Sequence, residues 1–200
     1  MRIATWNINS IRARADRALA SAEAEGIDSI REAEADDGDV QPRSAKQWTD
    51  LIHRALDNGW VRLISFPVAD FSGQLLHREC PLRLMFDEQG EWLPAGQFLP
   101  VAERLRLTPR LDLAAVTLGL RELTTHPELP GLAINLSASS ICDDQFRTSL
   151  LALLTSDRRN ASRLWLEVAE NGALRHIGEF RALCLKLKAA GCRVGLEHFG

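Results

Sequence analysis

From residue 131 to residue 200 the chain repeats one unit, an apolar strand followed by a helix with an apolar stripe. GLAINL (131–136) precedes a helical pattern over 143–155, with Phe146, Leu150, Leu153 and Leu154 at helical spacing. RLWLEVA (163–169) precedes a second helical pattern over 172–190, with Leu174, Ile177, Phe180, Cys184 and Leu187 on its inner stripe. GCRVGLEHFG (191–200) is a further strand. Strands alternating with helices imply right-handed crossovers and a parallel sheet. Near-continuous apolar strands fit a sheet covered on both faces.

The residues before this repeat add shorter elements. Trp48, Leu51, Ile52, Ala55 and Leu56 recur at helical spacing, with Ser44 placed as an N-cap and Gly59 just past the end. WVRLISFPV (60–68) reads as a strand, and residues 70–73 as a turn. LLHRECPLRLM (75–85) reads as the next strand, with Leu76, Arg78 and Cys80 on one side and Leu75, His77 and Glu79 on the other. Residues 92–100 form a loop entering a helix, and residues 110–125 a helix with Leu111, Ala114, Ala115 and Leu118 on one face. Residues 14–26 are an alanine-rich helical stretch, and residues 28–44 carry Asp36, Asp37, Gly38, Asp39 and Pro42, a linker composition.

The 200 residues are 46% hydrophobic and 26% charged, enough for one domain with a sizeable core. A net charge of −3 gives no electrostatic case for nucleic acid, so no DNA partner is expected. The four cysteines form no CxxC pair, which argues against a zinc site or a disulfide framework and for a reducing cytoplasm. No apolar run is long enough to span a bilayer.

Polar residues recur at the strand ends: Glu79, Asn135, Glu167 and Glu197. In an α/β barrel the C-terminal strand ends share one face, and chemistry sits there. Three carboxylates and an amide oxygen converging on that face repel one another unless a cation lies between them. Oxygen donors without sulfur suit Mg²⁺, Mn²⁺ or Ca²⁺. Each Glu alone also reads as a surface or salt-bridged residue; the recurrence over four strands is what points to a metal or anion site.

At these residues the chain resembles the EAL domain, the barrel that binds and hydrolyses cyclic di-GMP. The signature Glu-Ala-Leu-x-Arg stands here as Glu79-Cys80-Pro81-Leu82-Arg83. PAGQFLPVAER (94–104), NLS (135–137), LEVAE (166–170) and LEHFG (196–200) follow in the family's order. The resemblance implies that Glu79, Asn135 and Glu167 are metal ligands for Mg²⁺ or Mn²⁺. It implies that Glu170 holds the loop after its strand, that Arg83 contacts a ligand phosphate, and that Asp112 contacts the ligand. A guanidinium, planar and always charged, suits the phosphate role.

The departures from the family pattern bear on activity. Glu197 and His198 stand where the family has paired aspartates that hold two metals. Histidine cannot bridge two hard cations as a carboxylate does. Cys80-Pro81 replaces Ala-Leu, and Phe66 replaces a Gln. The changes resemble degenerate EAL domains that act as cyclic di-GMP receptors without hydrolysis, often behind a degenerate GGDEF domain and a sensor anchored in the inner membrane. The alternatives are a metal-dependent cyclic di-GMP phosphodiesterase, and a non-binding interaction domain or truncated non-functional product. A protein partner or a homodimer through the EAL domain is an expected mode of output, in the cytoplasm.

Two further resemblances concern the first residues. Residues 14–26 resemble the last helix of GGDEF domains. Residues 1–14, MRIATWNINSIRAR, resemble the opening of exonuclease III-type nucleases, with Asn7 at the metal-proximal position, but that family's next motif has no counterpart. The expected fold is an incomplete (β/α)8 TIM-type barrel lacking its last strands and helices. Residues 1–46 are expected as a tail and residues 47–200 as a partial EAL domain. A full barrel of this type takes about 250 residues.

Overall fold

The computed structural model describes residues 44–88 and 90–197. The expected helix over 14–26, the acidic linker to residue 43, Asn7 and His198 lie outside the described residues. The compact unit begins at Ser44.

Ser44 opens helix α1 (Ala45–Asp57) with a capping box. The Gln47 N–H donates to Ser44 Oγ at 3.2 Å, and the Ser44 N–H donates to Gln47 Oε1 at 2.7 Å. Gly59 then takes a left-handed φ of 71°, which a side chain would resist.

The stretch expected as one strand over 60–68 is two strands in two sheets, β1 (Val61–Leu63) and β2 (Phe66–Ala69). The stretch 75–85 divides in the same way, into β3 (Leu75–Glu79) and β4 (Leu82–Leu84). Both divisions have one cause. Pro81 has no N–H to continue a ladder, and its carbonyl instead accepts the Ile64 N–H at 3.1 Å. The two chains cross between sheets at the same point. β1 and β4 pair antiparallel and take up β5 (Leu93–Pro94), in the order β1-β4-β5.

The larger sheet has the order β2-β3-β6-β7-β8, with β6 (Leu132–Leu136), β7 (Leu164–Ala169) and β8 (Arg193–Glu197). β3, β6, β7 and β8 are parallel, as the strand–helix alternation requires. β2 is an antiparallel edge, joined to β3 by a hairpin whose Asp70 Oδ1 accepts the N–H groups of Ser72 and Gln74. This hairpin is the departure from an all-parallel sheet.

Eight helices are described. After α1 come α2 (Ala95–Arg104), α3 (Thr108–Thr125), α4 (Ala138–Cys142), α5 (Asp144–Ser156), α6 (Arg158–Ala161) and α7 (Glu170–Arg175), and an eighth, α8 (Ile177–Ala190), precedes β8. The single helix expected over 172–190 is broken at His176, whose φ of −128° and ψ of 45° lie outside helical space. Leu174 and Ile177, expected on the inner stripe, are 60% and 58% exposed, while Leu183 and Leu187 face the core. The break turns the first turns away from the sheet, so the apolar stripe is not continuous across it. Among the described residues no helix is long and apolar enough to cross a membrane.

The core lies between the helices and one sheet face. Leu132, Ile134, Leu136, Leu164, Leu166 and Val168 alternate along β6 and β7 and are buried. Gly119 lets α3 approach this face closely: a Cβ there would meet Ile134 Cδ1 at 3.4 Å and Leu164 Cδ2 at 3.5 Å. At the far end, Arg163 donates to the carbonyls of Leu123, His126 and Leu129, tying the C-terminal end of α3 to the entry of β7. Leu164→Ala is expected to cost about 2–5 kcal/mol through the cavity it leaves. Gly119→Leu is expected to cost about 1–3 kcal/mol by overpacking. Urea denaturation of the two variants against wild type measures both.

Candidate functional site

The ladder fixes which side chains share a face. Glu79 is level with Ala133, Ala133 with Trp165, and Trp165 with Arg193. Two residues further along, Asn135 is level with Glu167, and Glu167 with Gly195; then Ala169 is level with Glu197. Side chains alternate between faces with a period of two. Glu79, Asn135, Glu167 and Glu197 therefore stand on one face, opposite the buried leucines and valine. Pro81 ends β3 just beyond Glu79, although the Cys80 N–H still reaches the Ala133 carbonyl at 2.9 Å.

Toward the strand N-termini, the same face is filled by a stack. The rings of His77 and Trp165 lie 4.7 Å apart, and the Arg193 guanidinium sits 4.8 Å from the Trp165 ring centre. Ala133 on the intervening strand contributes only a methyl. Burial, and secondarily the Arg193 charge, pushes the His77 pKa down, so its ring is neutral. Nothing in the alternation of residues 75–79 singled out His77 as part of a cross-strand stack, because the partners come from β7 and β8.

Above the stack lie the carboxylates. Burial pushes the Glu167 carboxyl up to about 7, and the charges of Glu197 and Glu79 add to the shift. Three acids are thus electrically coupled on one face. Among the described residues no three His, Cys, Asp or Glu side chains form a closed metal cage. The donors are nevertheless all oxygen, and their mutual repulsion is what a hard divalent cation would relieve. Glu79, Asn135 and Glu167 are the residues that would hold it.

The other expected residues lie around this row. Asp112 is buried in α3 and accepts the Ser137 N–H at 2.7 Å, so it grips the loop two residues past Asn135. Burial pushes its carboxyl up to about 6 despite the hydrogen bonds from Ser137. Glu170 is the first residue of α7, directly after β7. Arg83 lies in β4, opposite Arg62 of β1 and Pro94 of β5. Arg62 is itself stacked 4.2 Å over Trp92. Sequence reasoning missed Ser137 as the partner of Asp112, and missed Gly195, whose missing side chain leaves room for Glu167.

Residues 50–200 match the family profile of the EAL domain. The chain belongs to the EAL domain family. It is 28% identical over 152 residues to the cyclic di-GMP phosphodiesterase PdeF of Escherichia coli, covering 74% of this chain and 20% of that relative. The chain thus spans about a fifth of PdeF's length. Its fold matches the S helix-GGDEF-EAL structure of Vibrio cholerae LapD bound to c-di-GMP, with a TM-score of 0.74 and 23% identity, over 96% of this chain and 46% of that one. It also matches the EAL domain of Xanthomonas citri FimX in complex with c-diGMP, with a TM-score of 0.69 and 24% identity, over 78% of this chain and 62% of that one. The fold is the TIM-barrel-like fold of EAL domains, of which the described sheets and helices form a part.

The buried acids give the EAL domain a pH signature. Asp112 keeps its proton to about pH 6 when folded and ionises from a reference value of 3.8 when unfolded. The fold therefore binds the extra proton in that window, and stability falls as pH rises through it. Asp112→Asn retains an acceptor for Ser137 and is expected to remove the loss, a gain on the order of 2–3 kcal/mol above pH 6. Glu167→Gln is expected to flatten the corresponding slope between 4.5 and about 7. Thermal melts of the metal-free proteins from pH 4 to 8 measure both slopes.

Proposed function

We propose that this EAL domain binds cyclic di-GMP over the Glu79–Asn135–Glu167–Glu197 row as a receptor, with hydrolysis absent or very slow. The observation that carries the reading is that row: four oxygen-bearing side chains on one sheet face, Asn135 level with Glu167, Glu79 and Glu197 each offset by two residues, and Glu167 repelled by both of the other acids. The family membership and the cyclic di-GMP complexes of LapD and FimX support the ligand.

A divalent Mg²⁺ or Mn²⁺ ion supplies charge neutralisation at the row when bound. Glu79, Asn135 and Glu167 offer it hard oxygen donors. Arg83 contacts a ligand phosphate with its planar, permanently charged fork. Asp112, which the resemblance places at the ligand, is buried and holds the segment after Asn135 through the Ser137 N–H, and Glu170 holds the loop after β7. Hydrolysis by two metals needs ions about 3.5–4 Å apart around the attacking oxygen. Glu197 is a methylene longer than the aspartate of the family pattern, and His198 offers one nitrogen at a time where a bridging carboxylate is needed. The readout then passes to a protein partner or a second copy of the domain, in the cytoplasm.

A second reading is a slow metal-dependent phosphodiesterase, favoured by three carboxylates, Glu79, Glu167 and Glu197, on one face. Calorimetry and chromatographic turnover assays with cyclic di-GMP separate the two. The receptor reading expects binding without turnover in Mg²⁺ or Mn²⁺, and turnover at the rate of active EAL enzymes would refute it. Arg83→Ala is expected to weaken binding by about 1.5–3 kcal/mol, the worth of a charge-assisted contact. Unchanged affinity in that variant removes Arg83 from the site.

A further inference from the structure

We propose that Gly195 sets where the Glu167 carboxylate lies and thereby holds down the affinity of the row for a divalent cation. The proposal rests on the cation reading given above. Gly195 is level with Glu167 on the neighbouring strand β8. A Cβ at residue 195 would lie 2.9 Å from Glu167 Oε1, 3.0 Å from its Cγ and 3.3 Å from its Cδ. The Glu167 side chain therefore leans sideways over β8, into the space that any other residue at 195 would fill.

That lean takes the carboxylate away from its partners. Asn135 is level with Glu167 on the opposite side, on β6, one strand spacing of about 4.8 Å away. Glu79 lies on the strand beyond that, on β3. A Glu167 carboxylate lying over β8 faces away from both strands.

A methyl at 195 reverses the lean. The atoms it would strike belong to a flexible side chain, not to backbone, so rotation of Glu167 relieves the clash. Glu197 stands two residues on along the same face of β8 and repels Glu167 from that diagonal. The remaining direction is toward Asn135 and Glu79. Gly195 is not among the residues with a positive φ, so alanine fits the backbone there. Replacing a strand glycine also removes an entropic cost of folding. Gly195→Ala is thus expected to leave stability unchanged or improved while moving a ligand.

The test is a Mn²⁺ titration by calorimetry on the 200-residue chain, with a metal-free thermal melt for each protein. Wild type, Gly195→Ala, Gly195→Ser, Glu167→Gln and the double variant Gly195→Ala/Glu167→Gln are compared. Gly195→Ser carries the same Cβ and serves if the alanine variant folds poorly. The expected result is roughly tenfold tighter Mn²⁺ binding in Gly195→Ala, the scale on which neighbours that orient a ligand act, with the gain absent in the double variant. Affinity equal to or below wild type in the folded 195 variants, with Glu167→Gln still weakening Mn²⁺ binding, overturns the role of Gly195 and leaves the cation reading standing. Mn²⁺ binding that is undetectable, or indifferent to Glu167→Gln, overturns both.

Discussion

The register of one parallel ladder, from β3 through β6 and β7 to β8, governs the rest of this molecule. It puts leucine, isoleucine and valine on the side where the helices pack and acids on the other. Because side chains alternate, a slip of one residue in any strand would exchange the two sets. It would press Glu167 into the helix interface, where an unpaired carboxylate costs several kcal/mol, roughly. It would also turn Leu166 and Val168 outward. Packing on one face and charge on the other therefore select the same alignment. Arg163 adds a mechanical stop, since its hydrogen bonds to the end of α3 fix the entry of β7 relative to that helix.

The order of strands and helices after residue 131 was legible because periodicity is a local property. So was the Ser44 cap, which accepts from the backbone of its own helix within three residues; Asp143, read as the first helical residue, is instead the cap of α5. The recurrence of Glu79, Asn135, Glu167 and Glu197 near strand ends was legible too, whereas their common sheet face comes from the register. What local pattern could not show is where a strand changes partners. Residues 60–68 and 75–85 each look continuous, yet both cross from one sheet to another, with the Ile64–Pro81 hydrogen bond at the crossing. The helix break at His176 was equally hidden, because Leu174 and Ile177 keep the apolar spacing while leaving the core.

The relations within the site were the least legible. Asp112 meets Ser137 across 25 positions of sequence. Gly195 matters through a side chain on another strand, and glycine gives no sign of what occupies the space it leaves. The resemblance to EAL domains named the residues of the row; the register showed which neighbours control their reach. Arg83 is only four positions from Glu79 but in a different sheet, so the signature joins two sheets through Pro81.

The stack of His77, Trp165 and Arg193 has a consequence for how the strands are tied together. Trp165 on β7 is the shared neighbour of His77 on β3 and Arg193 on β8. One aromatic ring thus joins three strands on the face where no helix packs. Its loss removes two contacts at once and loosens β3 and β8 together, although the two strands are not adjacent in the ladder.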